Sequence, residues 1–351
     1  MLTKLVTNNT NKEVEMIIIT FLYSTYFVKE IESAGVKIYA LNINKGILGP
    51  FNILKVFKII YLEDPKIIQT WMYHADFLGV LLKPFFPNKK LIWNIRHSNL
   101  VKGADKITTI VLANILSRLS FVPASIICGS NAAYLSHQKI GYRSEKMTII
   151  PNGFDTNLFA PNYDIKKSVL GEIGVPSDDL VIGHIGRENK VKNQASLIEA
   201  FAKLSDKRKN ISLVLIGKGL KNKYQWHPNV NNNKKIIILD EVPNVERYLK
   251  AFDLFVLSSF SEGFPNVLGE AMASGVPCIS TNAGDSEYII GNSDLITEDA
   301  SVISLYKKMD YWINLSDSEK EYLRRNSRNR VIDLFSIDKI TSRYINLYKS
   351  I

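Results

Sequence analysis

The chain has 351 residues, of which 46% are hydrophobic and 22% charged, and a formal net charge of +10. That length exceeds one ordinary hydrophobic core, so two domains are expected, and the balance excludes a disordered polymer. The basic excess suits an anionic partner or a solvated Lys-rich surface, and the presence of only Cys128 and Cys278 excludes a disulfide scaffold and fits a reducing compartment.

Met1–Asn8 reads as the back half of an amphipathic helix, with Leu2, Leu5 and Val6 on one face, and no strand precedes it. The apolar run Met16–Val28 is too short to span a membrane and carries Ser24 and Thr25. The longer run Ile110–Cys128 is interrupted by Asn114, Arg118 and Pro123. A spanning helix needs about 20 apolar residues. No secretory leader is read in Met1–Glu15, so a cytoplasmic location is expected. Strand patterns fall at Met16–Thr20, Val36–Leu41, Lys66–Thr70, Leu91–Ile95, Ser125–Cys128 and Met147–Ile150. Helical patterns fall at Phe51–Leu62, Ala75–Pro84 and Lys106–Ser120. Several strands are continuous apolar runs, as parallel strands covered on both faces should be. Phe51–Leu62 carries Lys55 and Lys58, with Lys89, Lys90, Arg96 and Lys102 following. Peripheral contact with an anionic leaflet at the inner face of the membrane is one reading, and a sheet-covering helix is the other.

The second half repeats the scheme. Strands are expected at Leu180–Ile185, Ser212–Ile216, Lys235–Leu239, Leu254–Leu257 and Pro277–Ser280. Helices are expected at Asn193–Leu204, Val245–Ala251 and Pro265–Ala273, before a helical, charged tail from Ser301 to Ile351. Pro151–Asp155 has no periodicity and marks the start of the interdomain connection. The fold class is therefore α/β, two doubly wound Rossmann-like domains whose strand carboxyl ends meet at a central cleft.

The most informative stretch runs from Ser261 to Met272. A strand leads into a loop and a helix, and Pro265 suits the first helical turn. The amides of Asn266, Val267 and Leu268, with the helix dipole, form a site for phosphate oxygens, and Gly263 permits close backbone approach. Glu262 precedes the helix and can reach a sugar. Glu270, eight positions on, can accept hydrogen bonds from ribose hydroxyls. Arg187, after one strand, and Lys192, opening the next helix, could neutralise a departing diphosphate. The competing reading makes Glu262 a capping acid, Glu270 a surface residue and both cations ordinary surface charges. His97 follows a strand at its carboxyl end. It could meet a donor hydroxyl or the acceptor, or be a hydrogen-bonded structural residue. No Asp-x-Asp triplet occurs and no set of converging carboxylates can be assembled, so no metal site is expected.

The run Glu262-Gly263-Phe264-Pro265-Asn266-Val267-Leu268-Gly269-Glu270-Ala271-Met272 resembles the signature of retaining family 4 glycosyltransferases of the GT-B fold. The likeness extends to Trp93–Ser98, Pro151–Asp155, Gly183–Arg187 with Lys192-Asn193, and Gly284-Asp285-Ser286. It is nearest the bacterial branch that builds capsule, exopolysaccharide or O-antigen chains. The resemblance implies that Arg187 and Lys192 bind the donor diphosphate, Glu262 the donor sugar and Glu270 the ribose. It further implies that the backbone of Gly263, Phe264, Pro265, Asn266, Val267 and Leu268 lines sugar and phosphates, and that His97 faces the reacting centre. Asn152 and Asp155 match the interdomain motif. Expected boundaries are 1–152 for the acceptor-side domain, 153–335 for the nucleotide-sugar domain, and 336–351 for a helix crossing back. The resemblance also implies a nucleotide diphosphate sugar as donor, a substrate rather than a cofactor, and a carbohydrate or lipid-linked oligosaccharide as acceptor.

In the family a first strand leads to a Gly-Gly loop at the donor phosphates. This sequence begins after that point, and an upstream start codon or a truncated gene is expected. A missing central strand would leave unpaired backbone edges. A nucleotide-sugar epimerase on the same architecture and a non-catalytic sugar-nucleotide binder are the competing functions. No G-x-G-x-x-G follows a strand, against a dinucleotide oxidoreductase, and no recognised motif supports nucleic-acid binding.

Overall fold

Short Ile- and Val-rich runs alternate with amphipathic segments, and each run becomes a parallel strand covered by the helices beside it. The computed structural model describes residues 1–9, 14–22, 25–43, 49–98, 100, 106–162 and 164–351. Ser24 and Lys102, named above, lie outside them. Its contacts divide the chain into Met1–Gly153 with Ile337–Ile351, and Phe154–Ser336.

The first unit runs α1 (Leu2–Thr7), β1 (Ile17–Thr20), α2 (Thr25–Ser33), β2 (Lys37–Ala40), α3 (Pro50–Glu63), β3 (Ile67–Trp71), α4 (Tyr73–Leu82), β4 (Lys90–Ile95), α5 (Ile107–Leu119), β5 (Ser125–Cys128), α6 (Asn131–Lys139) and β6 (Met147–Ile149). Among the described residues the strands form two parallel sheets, β1-β2 and β3-β4-β5-β6. β4 is buried from Leu91 to Ile95, matching its unbroken apolar sequence. α3 begins at Pro50, whose fixed φ suits a first helical position, and stops at Asp64 in the left-handed conformation. Its Val56 and Ile60 are buried against Leu78 and Leu82 of α4 and Leu41 beyond β2. Leu5 of α1 packs with Ile92, Ile127 and Ile150.

The second unit runs α7 (Lys166–Glu172), β7 (Leu180–Ile185), α8 (Gln194–Ser205), β8 (Ile211–Ile216), α9 (Leu220–Tyr224), α10 (Pro228–Asn231), β9 (Ile236–Leu239), α11 (Val245–Leu249), β10 (Leu254–Leu257), α12 (Asn266–Ala273), β11 (Cys278–Thr281), α13 (Ser286–Ile290), β12 (Ile296–Thr297), α14 (Val302–Asn314) and α15 (Asp317–Phe335). Its six parallel strands are ordered β12-β11-β10-β7-β8-β9. β7 and β10 are neighbours although two strands separate them in sequence. The strand order reverses there, which makes the carboxyl ends of β7 and β10 the switch point of the sheet. α15 opens on a capping box in which Ser316 and Glu319 satisfy each other's backbone amides.

The last helix, α16 (Ile337–Ser350), packs with the first unit. Ile340 and Tyr344 join Leu5, Ile92 and Ile127 in one cluster. Tyr344 Oη accepts from Asn94 Nδ2 at 2.9 Å and from Arg96. Arg96 also donates to Asn94 Oδ1 and Asn152 Oδ1 and lies over the Trp71 ring.

Candidate functional site

The loops leaving β7 and β10 converge on one ion pair. Lys192 Nζ lies 2.6 Å from Glu262 Oε1, with the two side chains 24% and 12% exposed. Ser259 Oγ donates to the same carboxylate oxygen at 2.6 Å. The backbone holds both residues in place: Phe260 N donates to Val191 O at 2.8 Å and Ser258 Oγ to Lys192 O at 2.8 Å. Lys192 closes a single 3-10 turn, Lys190–Lys192, capped by the Asn189 side chain; Asn193, left-handed at φ 54°, then starts α8. The expectation that Lys192 opens the helix is thus off by one turn type.

Glu262 and Gly263 are held from the other side by the loop after β11. Asp285 N donates to Gly263 O at 2.9 Å. Gly284 has φ 57°, and a Cβ there would lie 2.4 Å from Glu262 O. The Gly284-Asp285-Ser286 motif therefore earns its glycine by close approach to the candidate site.

α12 begins at Asn266 with Pro265 as its N-cap, one residue later than the sequence suggested; a fixed φ of −70° serves either position. The Leu268 amide donates to Pro265 O at 3.1 Å and its side chain is fully buried, so Leu268 does not present an amide to a ligand as expected. Asn266 is exposed and Glu270 half-buried. Phe264 turns inward: its ring stacks on Phe154 at 6.1 Å and meets Phe335 edge-on at 5.9 Å, leaving its backbone to line the loop. Gly269 accommodates the Phe154 ring, since a Cβ there would lie 2.1 Å from it. Half of the signature is thus a packing device that seats the helix mouth.

Arg187, exposed, follows β7, and its carbonyl accepts from Gln194 Nε2 at 3.0 Å. Beneath the loop lies His184, for which the motif gave no role. It donates through Nδ1 to Val256 O at 2.9 Å and leaves Nε2 buried without a partner. Burial pulls its pKa down to about 4, so the ring is neutral. A buried neutral histidine beside the cationic loop adds no charge to compete for an anion.

His97 belongs to the first unit, half-buried after β4, its ring 6.2 Å from Tyr73. The structure thus brings Lys192, Glu262 and the start of α12 together in the second unit, with Arg187 at the end of β7, and places His97 in the first. Asn152 is engaged by Arg96, and Asp155 caps a turn by accepting from the amides of Asn157 and Leu158 at 2.9 Å each. Among the described residues no three His, Cys, Asp or Glu side chains converge as metal ligands.

A parallel six-stranded sheet in one unit and a second α/β unit in the same chain are the architecture of the GT-B fold. The model of "Glycosyltransferase Family 4" matches residues 5–158 and that of "Glycosyl transferases group 1" matches residues 166–330. The chain thus carries a family 4 glycosyltransferase domain followed by a group 1 glycosyltransferase domain. It is 31% identical over 222 residues to an Escherichia coli UDP-Gal:alpha-D-GlcNAc-diphosphoundecaprenol alpha-1,3-galactosyltransferase, covering 58% of this chain and 54% of that protein. It is 25% identical over 312 residues to the Staphylococcus aureus capsular polysaccharide biosynthesis glycosyltransferase CapM, covering 85% and 80%. Anabaena HepE, solved in complex with UDP, shares the fold with a TM-score of 0.84 at 20% identity, over 100% of this chain and 95% of that one. The chain spans just over half the length of two of the curated relatives it matches.

Proposed function

We propose that the protein transfers a sugar from a nucleotide diphosphate donor, UDP-linked, to a growing lipid-linked cell-surface polysaccharide, with retention of anomeric configuration. The observation that carries this reading is the Lys192–Glu262 pair at the mouth of α12, between the loops of β7 and β10. A cation, a helix N-terminus and a carboxylate in one crevice suit the diphosphate and hydroxyls of a single donor. Lys192 and Arg187 take the charge that develops as the bond from C1 to the β-phosphate oxygen breaks. The acceptor hydroxyl attacks C1 from the face the diphosphate leaves, and its proton passes to the departing phosphate oxygen. Glu262 orients donor hydroxyls and Glu270 the ribose. His97 serves the reacting centre from the first unit. The uridine donors and the diphosphoundecaprenol acceptor in the relatives' names support the choice of donor and acceptor class. Calorimetric titration with UDP tests the donor; no heat at millimolar UDP would remove it. The anomeric coupling constant of the product tests retention.

The lipid-linked acceptor implies a membrane, and α3 supports contact with one. Its inner face covers the core, yet Phe51, 81% exposed, with Leu54, Tyr61 and Leu62 lies outward beside Lys55 and Lys58. The neighbouring helices in that layer add exposed Leu81, Val111 and Ile115. The inner face of Phe51–Leu62 is thus a sheet-covering face, and the outer face is the one an anionic leaflet would meet. Of the other cations once grouped with it, Lys89 pairs with Asp64 and Arg96 is taken up in the Tyr344 network, because both have carboxylate, amide or hydroxyl partners nearby. No helix among the described residues is long and apolar enough to cross a membrane. Sedimentation with anionic and neutral vesicles tests this: binding to the anionic set alone, lost in Phe51→Glu/Leu54→Glu, is expected.

A further inference from the structure

The β7–α8 loop has a second use. While Lys192 turns to Glu262, Glu188 and Lys190 line a cavity of about 490 Å³ together with Asn193 and Ala195 at the start of α8 and with Lys223, Tyr224, Trp226 and His227 of α9 and the turn after it. None of these residues belongs to the candidate donor site.

The aromatic wall is graded. Tyr224 is buried, His227 meets it edge-on at 6.3 Å, and Trp226, in the three-residue link between α9 and α10, is 77% exposed. The other three tryptophans are wholly or largely covered, as indoles usually are. Polar groups surround the wall. His227 Nδ1 accepts from the Asn229 amide at 3.3 Å, so a neutral ring carries its proton on Nε2 and can donate from there. Glu188 is near enough that its carboxylate, after burial, helps push the Tyr224 phenol up. The ammonium groups of Lys190 and Lys223 form no ion pair among the described residues.

An exposed indole flanked by one acceptor and several donors matches the two surfaces of a pyranose. The C–H face stacks on the aromatic plane, and the rim of hydroxyls exchanges hydrogen bonds with Glu188, His227 and the lysines. Two ammonium groups against one carboxylate leave an excess of positive charge that a neutral sugar would not use. We propose that this cavity is a second glycan-binding site that takes an acidic pyranose unit, bearing a carboxylate, from an oligosaccharide chain. It holds glycan on the unit that carries the candidate donor site, and it stands whether or not that site binds UDP.

Isothermal titration calorimetry on the full chain tests it, with a hyaluronan hexasaccharide as the acidic probe and cellohexaose as its neutral match. The acidic probe is expected to bind, and Trp226→Ala, a change at an exposed position, to weaken it about tenfold or more. Lys190→Gln/Lys223→Gln should weaken the acidic probe by a similar factor. UDP affinity should be the same in all variants. Absence of binding by either probe overturns the proposal. So does equal binding of both probes that the lysine changes leave intact. A loss of UDP affinity in Trp226→Ala would assign the cavity to the nucleotide instead and overturn it too. A failure to bind UDP in every form, with the glycan result intact, would count only against the donor reading.

Discussion

Replacing Lys192 with Met separates a donor-binding cation from a structural ion pair. The two charged atoms are 2.6 Å apart, and both side chains are mostly covered. At an effective dielectric near 20 the bare attraction is about 6 kcal/mol, most of which is offset by the desolvation of both groups. Removing the lysine leaves Glu262 with the Ser259 hydroxyl alone, a loss of roughly 2 kcal/mol in stability. For a domain of this size that is a fall of roughly 4–8 °C in Tm. If Lys192 also holds the diphosphate, one charge-assisted bond of about 1.5–3 kcal/mol disappears from the complex, and UDP should bind roughly 10–150-fold more weakly. Calorimetry for UDP and denaturant unfolding read the two effects separately. In Lys192→Met/Glu262→Gln the stability cost should be smaller than the sum of the single changes, because neither charge is left stranded. Unchanged UDP affinity alongside the expected loss of stability would make the pair a structural bridge and remove Lys192 from the mechanism.

Three further outcomes follow from buried groups. Gly269→Ala forces a methyl to within 2.1 Å of the fully buried Phe154 ring and should cost about 3 kcal/mol in unfolding free energy; an unchanged denaturation midpoint would show that the ring can move aside. Burial holds the Asp76 carboxyl well above its ordinary range, so the folded state keeps a proton that the unfolded state gives up near pH 4. Its contribution is then greatest in acid and is lost as pH rises, and Asp76→Asn should gain stability over the parent at pH 8 relative to pH 4, measured by urea unfolding. His137 and His184 are both pulled down to about 4 by burial, so their contribution is present above about pH 6.5 and is lost as pH falls toward 4. Stability measured across that window should decline, at up to about 1.4 kcal/mol per pH unit for each ring, and a flat profile would contradict it.

The fold was readable where burial left a one-dimensional trace. β5, β7 and β10 coincide with the apolar runs because parallel strands covered on both faces have no reason to alternate. α3 and α5 were legible from their 3.6-residue period and from punctuation such as Pro50. The short elements were not: α9, α10 and α13 are one turn each, and β12 is two residues long, too brief for a period to register. The separation of β1-β2 from β3-β4-β5-β6 also left no mark, since strand order depends on which faces pack and not on any single segment.

The candidate site divides along the same line. Its location followed from the Ser261–Met272 motif, and the loops after β7 and β10 leave adjacent carboxyl ends where the strand order reverses. Lys192 and Glu262, 70 positions apart, could be nominated from sequence but not paired, as the pairing needs the Phe260–Val191 and Ser258–Lys192 hydrogen bonds that lock one loop onto the other. Phe264 and Leu268 were placed at the ligand because they sit inside the motif. Their side chains instead face a core whose third member, Phe154, comes from a different motif altogether, and Gly269 is the notch that admits it. The two signatures are one structure: Phe154 holds the helix mouth from behind, and Gly284 holds its loop from the side. A substitution in either glycine should therefore displace the Glu262 carboxylate without changing that residue, and the sensitive readout is UDP affinity in a protein that still folds. Gly284→Ala, whose methyl would press on Glu262 O at 2.4 Å, is the sharper case, and full UDP affinity in that variant would mean that the carboxylate's position is not set by its loop.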